Sequence, residues 1–145
     1  MANHKLPPGT WIEREMFESR AFLSLTGFAP QLLILILAKR QFITHGRRGR
    51  QKKVCTNCDR INITYTEFKN KYGITQPRMT RALDQLLEKG FLSIVYPGGT
   101  CRQDKAIYSL STNWLIWKLG IIFEGRERES VARGFCIPKK QNSHT

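Results

Sequence analysis

The chain has 145 residues, of which 41% are hydrophobic and 10% aromatic, and 24 Lys and Arg stand against 11 Asp and Glu for a formal net charge of +13. That length holds one core plus tails. The apolar content excludes wholesale disorder, and the charge selects a polyanionic partner, nucleic acid before membrane. The longest apolar run, residues 32–38, is far short of the ~20 residues that span a bilayer, and no basic amphipathic helix or lipid anchor is present.

The opening Met1-Ala2-Asn3-His4-Lys5-Leu6-Pro7-Pro8-Gly9 has no apolar run behind its basic residues. A secretory signal is therefore not expected, and the chain reads as cytoplasmic. In that compartment the four cysteines are expected as free thiols or metal ligands, not structural disulfides.

Taken in chain order, residues 1–10 read as a flexible arm, and residues 11–17 as a short helix or an extended lead-in. Start signals at Ser24, Thr26, Gly27 and Pro30 precede residues 31–38, which are apolar on almost every side and predict a helix in the middle of the core. Residues 39–60 form a basic loop, with Lys39, Arg40, Arg47, Arg48, Arg50, Lys52, Lys53 and Arg60 against the single acid Asp59. A small hairpin is expected inside it, pairing Val54-Cys55 with Ile61-Asn62-Ile63 across the turn-rich Thr56-Asn57-Cys58-Asp59.

Thr64-Tyr65-Thr66-Glu67 fits a capping box, so a helix is predicted from Tyr65 to about Tyr72, ended by a left-handed Gly73. Thr75 is a second N-cap, with Pro77 tolerated in the first turn. In the helix that follows, Met79, Ala82, Leu83, Leu86 and Leu87 make one apolar stripe at helical spacing. Gly90 stops it, residues 91–96 and 106–110 predict a strand–loop–strand wing, and residues 111–119 a capped short helix with Trp114 and Trp117 as anchors. Residues 124–145 are polar, and residues 121–145 are expected to be a mostly flexible tail.

Helix, tight glycine turn, amphipathic helix and β-hairpin make the order of a winged helix-turn-helix. The residues at 63–68, 72–75, 80–86 and 89–92, with the flanking segments 19–29 and 108–114, resemble the DNA-binding half of plasmid- and phage-type replication initiator and regulator proteins. The resemblance spans about residues 19–118. It implies an α+β winged-helix domain over residues 11–120 with an extra N-terminal helix, a helix-turn-helix at 64–89 and a wing at 91–110. It implies a binder of duplex DNA, as a transcriptional regulator or origin-binding protein of a plasmid, phage, virus or prophage. An RNA-binding protein and a winged-helix protein-interaction module are the alternatives.

A recognition helix needs donors to base edges along its N-terminal half. Gln76, Arg78 and Arg81 are the expected base readers, with Thr75, Thr80 and Gln85 as supporting contacts. Lys69 and Lys71 are placed to clamp backbone, and Arg102 and Lys105 to reach from the wing. Arg47, Arg48, Arg50, Lys52 and Lys53, with no acid among them, are a candidate phosphate surface.

Cys55-Thr56-Asn57-Cys58 has the spacing of half a zinc knuckle, yet Cys101, Cys136 and His45 stand at no motif spacing. No metal or other cofactor is therefore expected, with zinc on Cys55 and Cys58 as the less favoured alternative. No histidine has a neighbour that would form a triad, and Gly98-Gly99 lacks the Lys-Ser/Thr of a phosphate loop. An enzyme and a small-molecule substrate are not expected. Homodimerisation fits a reader of two half-sites, without a coiled-coil heptad to carry it.

Overall fold

The computed structural model describes residues 8–98 and 105–125. They form a mixed α+β fold in which α1 (Arg14–Phe17), α2 (Arg20–Leu23) and α3 (Ala29–Leu37) precede a hairpin of β1 (Phe42–His45) and β2 (Lys52–Cys55). Strand β3 (Ile61–Asn62), α4 (Tyr65–Tyr72), α5 (Gln76–Glu88), β4 (Leu92–Tyr96), β5 (Ile107–Leu110) and a 3-10 turn at Asn113–Ile116 complete it. The sheet is antiparallel in the order β3-β5-β4, whereas β1 and β2 pair only with each other.

Local chemistry sets most helix ends. The Ser19 hydroxyl accepts from Phe22 N at 3.1 Å to start α2, and Pro30 occupies the first turn of α3, where its missing N–H leaves no intrahelical bond unmade. Thr64 caps α4 through Glu67 N at 3.3 Å, and Gly73 closes α4 with φ of 69°. The second arm of the expected capping box is not made. The Glu67 carboxylate instead pairs with Lys39 Nζ at 2.6 Å, a charge-assisted contact stronger than a return bond to the Thr64 N–H.

The core lies between α3 and α5 and continues beneath the sheet. Leu32, Leu33, Ile36 and Leu37 of α3 meet Met79, Ala82, Leu83, Leu86 and Leu87 of α5, all buried. Phe91 is sandwiched between two aromatic rings, stacked on Trp114 with centroids 6.0 Å apart and edge-on to Phe22 at 6.5 Å. Each of these large side chains contributes about 1.5–3 kcal/mol by leaving water. Helix α3 does not bury its whole circumference, because Gln31 and Ile34 face solvent. It covers the core on one side instead of passing through its middle.

The pairing inside residues 39–60 also differs from expectation. β2 pairs with β1, Phe42 opposite Cys55 and His45 opposite Lys52, while β3 pairs with β5, Ile61 opposite Tyr108. The reason is burial: Ile61 and Ile63 are almost fully enclosed in the core, whereas Val54 is exposed. A turn over residues 56–59 would have taken Ile61 from its place opposite Tyr108 and Ile63 from the core. Residues 121–125, expected in the tail, are tied to the body. Phe123 N donates to Glu88 O at 2.9 Å, and the Glu124 carboxylate accepts from Ile94 N at 3.1 Å.

Candidate nucleic-acid interface

Helix α5 is amphipathic, and its orientation follows from which face is buried. With Met79, Ala82, Leu83, Leu86 and Leu87 turned inward, the 100° step per residue places Arg81 opposite the stripe, Arg78 and Gln85 on one flank and Thr80 on the other. Thr75, Gln76, Arg78 and Arg81 are all exposed. Thr75 sits at the N-cap with extended backbone, but its side chain makes no capping bond.

The flanks are not free. The Arg78 guanidinium lies 5.1 Å from the Phe28 ring centroid, a cation–π contact that narrows its rotamers without neutralising it. Gln85, expected as a supporting contact, is engaged within the protein: its Oε1 accepts from Thr26 N at 2.9 Å and its Nε2 donates to Thr26 O at 3.2 Å. Thr80 is half-buried, its hydroxyl 2.9 Å from the Tyr65 hydroxyl of α4. Both side chains hold α5 against its neighbours. Of the expected readers, Gln76, Arg78 and Arg81 therefore form the outward face, and Thr80 and Gln85 become its supports.

Further exposed cations stand on other elements. Lys69 and Lys71 occupy the last turn of α4, where the helix dipole favours positive charge, and Lys71 Nζ lies 5.5 Å from the Tyr72 ring. Lys105 is exposed two residues before β5; Arg102 lies outside the described residues. Arg47, Arg48, Arg50, Lys52 and Lys53 are all exposed on the β1–β2 hairpin. They do not belong to a structureless loop: the arginines occupy the turn and the lysines lie on β2.

Two cations are placed differently. Lys89 Nζ donates to Ser24 O and Oγ at 2.9 and 2.7 Å and lies 5.1 Å from the Trp117 ring. Burial pushes its pKa below the ordinary lysine value, with Glu88 acting in the opposite direction. Arg40 donates to Leu37 O at 2.9 Å and to Trp11 O; burial lowers its pKa too, against the influence of Glu13.

Cys55 and Cys58 form a disulfide with Cα atoms 5.8 Å apart, which corrects the expectation of free thiols. Two extended-to-turn residues bring the Cα atoms within the 4.4–6.8 Å range that a bridge needs. With the sulfurs joined, the pair offers no thiolates to zinc, and no cluster of metal-ligand residues occurs among the described residues. An open cavity of about 560 Å³ between α1–α2 and the 3-10 turn is lined by Glu15, Glu18, Arg20, Leu115 and Lys118 among others. Its hydroxyl, Ser19, is engaged in the α2 cap and with Met16 O at 2.6 Å. Trp114 and Trp117, expected as anchors of the short helix, are buried.

The supports of α5 went unseen in the sequence because Thr26 stands 59 residues from Gln85, with no local signal to join them. No helix among the described residues is long and apolar enough to cross a membrane. No protein-family model, curated protein or solved structure matches the chain.

Proposed function

We propose that this chain is a winged-helix protein that binds duplex DNA, with α5 in the major groove, acting inside the cell as a transcriptional regulator or an origin-binding protein of a mobile replicon or virus. The observation that carries the reading is the outward face of α5. Gln76, Arg78 and Arg81 stand exposed on the N-terminal half of a helix whose other face is locked into the core. The element order adds support. A core helix, a short edge strand, two helices joined by residues 73–75 and a hairpin, with sheet order β3-β5-β4, is the arrangement in which winged helices present their second helix to DNA.

Arg81 and Gln76 are assigned to base edges, Arg78 to a base edge or adjacent phosphate, and Lys69, Lys71 and Lys105 to the backbone. The reading assigns no catalytic step and no cofactor. Fluorescence anisotropy with labelled duplex DNA, duplex RNA and single strands at two salt concentrations tests it. Tight, salt-steep preference for duplex DNA is expected, and Arg81→Ala is expected to remove about 1–3 kcal/mol of specific affinity. Equal or better binding to RNA, or no binding to any of them at low salt, overturns the proposal.

A further inference from the structure

The β1–β2 hairpin is unusual in having no buried face. Seven of its eight strand residues are exposed and Cys55 is half-buried, although a two-stranded hairpin alone in water is marginal. Its base is fastened instead. Thr56 N donates to Gln41 O at 2.8 Å. The Asn57 side chain accepts from Gln41 N at 2.7 Å and donates to Lys39 O at 2.9 Å. The Cys55–Cys58 bridge closes the loop, and Cys58 O accepts from Leu110 N of β5 at 2.8 Å. The element is therefore anchored to the sheet at one end and projects into solvent at the other.

Charge is distributed to match. The register puts Lys53 opposite Thr44 and Lys52 opposite His45, so alternation sends the two lysines to opposite faces of the ribbon. Arg47, Arg48 and Arg50 sit on the connecting turn, closed by Arg50 N to Arg47 O at 2.8 Å. Gly46 with φ of 114° and Gly49 with φ of 89° supply the conformations that turn requires. Residues 41–58 contain no acid, and none of these five side chains has an ion pair or hydrogen bond among the described residues.

A flat anionic surface would be met by cations on one face. Cations on both faces and across the tip fit a groove with phosphates on both walls. The apolar residues Phe42, Ile43 and Val54 lie at the anchored half, which favours tip-first entry over a ribbon laid flat along base edges. A groove about 6 Å wide admits arginine side chains but not the ribbon itself, and a narrow minor groove concentrates the negative potential that attracts them.

We infer that the β1–β2 hairpin is a second wing, inserting Arg47, Arg48 and Arg50 into the minor groove flanking the α5 site while Lys52 and Lys53 contact the two bordering backbones. The inference rests on the duplex-binding reading above. The test uses the full chain and a long duplex carrying a site selected by the wild-type protein. Arg47→Ala, Arg48→Ala and Arg50→Ala combined are expected to lower the slope of log affinity against log salt by about 2–3, since each arginine removed leaves roughly one counterion condensed on the DNA.

Hydroxyl-radical protection of one minor-groove segment beside the core site should vanish in the same variant. Replacing A·T pairs there by inosine–cytosine, which alters the major groove and keeps the minor-groove pattern, should leave wild-type affinity unchanged. An unchanged slope and footprint in the triple variant overturn the second wing and leave the α5 reading standing. Failure of the wild-type protein to bind duplex overturns both. Hairpin-dependent binding to phosphatidylserine vesicles with an unchanged DNA slope also overturns it, in favour of a membrane surface.

Discussion

Gly90 is the residue on which the placement of α5 against the rest of the fold can be tested most sharply. It follows Lys89 at the end of α5 with φ of 86°, and a Cβ there would lie 2.6 Å from Asn113 Cβ and 2.8 Å from both Asn113 C and Trp114 N. Two of those three atoms are backbone, and Trp114 N itself donates to Gly90 O at 3.2 Å, so the 3-10 turn cannot retreat without breaking that bond and the Phe91–Trp114 stack. Gly90→Ala combines left-handed strain of about 1–2 kcal/mol with overpacking of about 1–3 kcal/mol, for an expected loss of about 2–5 kcal/mol. Against a total stability of about 5–15 kcal/mol, that is a large fraction. Gly73→Ala is the internal control: its φ is 69°, but nothing lies within 4 Å of the added Cβ, so only the strain of about 1–2 kcal/mol applies. Urea unfolding followed by tryptophan fluorescence reads the difference, and with m of about 1–3 kcal/mol/M the Gly90 variant should lose on the order of 1–2 M more in midpoint than the Gly73 variant. Equal midpoints for the two variants would refute the close approach of the α5 end to the 3-10 turn.

Gln85→Ala is expected to cost about 0.5–1.5 kcal/mol of stability by removing its bonds to the exposed Thr26 backbone while leaving any sequence preference for DNA intact; altered base preference with unchanged stability would place Gln85 among the DNA contacts. Cys55→Ser with Cys58→Ser should lower stability by about 2 kcal/mol, the chain-entropy value for so short a loop. The loss should be concentrated in hairpin amides seen by hydrogen exchange, and uniform loss across α5 would contradict a local anchor. Lys89 sets a pH dependence: its folded pKa lies below the unfolded value, so the unfolded chain binds more protons between the two. The Lys89 contribution is therefore unfavourable at neutral pH and is relieved as pH rises through the folded pKa toward 10.5. Wild-type protein should gain stability relative to Lys89→Met as pH rises toward 10.5, and a difference independent of pH would show that burial does not govern the group.

The sequence by itself determined the features that depend on neighbours within a few residues. The Thr64 cap, the Gly73 stop and the buried stripe from Met79 to Leu87 were all legible, because capping and helical periodicity act over one or two turns. So was the exposure of Gln76, Arg78 and Arg81, which follows from the stripe. Tertiary structure decided what depends on competition between distant partners. Val54 and Ile61 are equally good strand residues, and only the apolar space under β5 determined that Ile61 joins the sheet while Val54 pairs with Ile43 in solvent. Glu67 had a local partner in its capping box and went to Lys39, 28 residues away. Gln85 and Thr80, polar and at the right pitch for contact with DNA, were turned into supports by Thr26 and Tyr65. A local pattern reveals which way a side chain points, but the group it meets is chosen by long-range packing, because a buried or half-buried polar atom must find a partner wherever the fold brings one within reach.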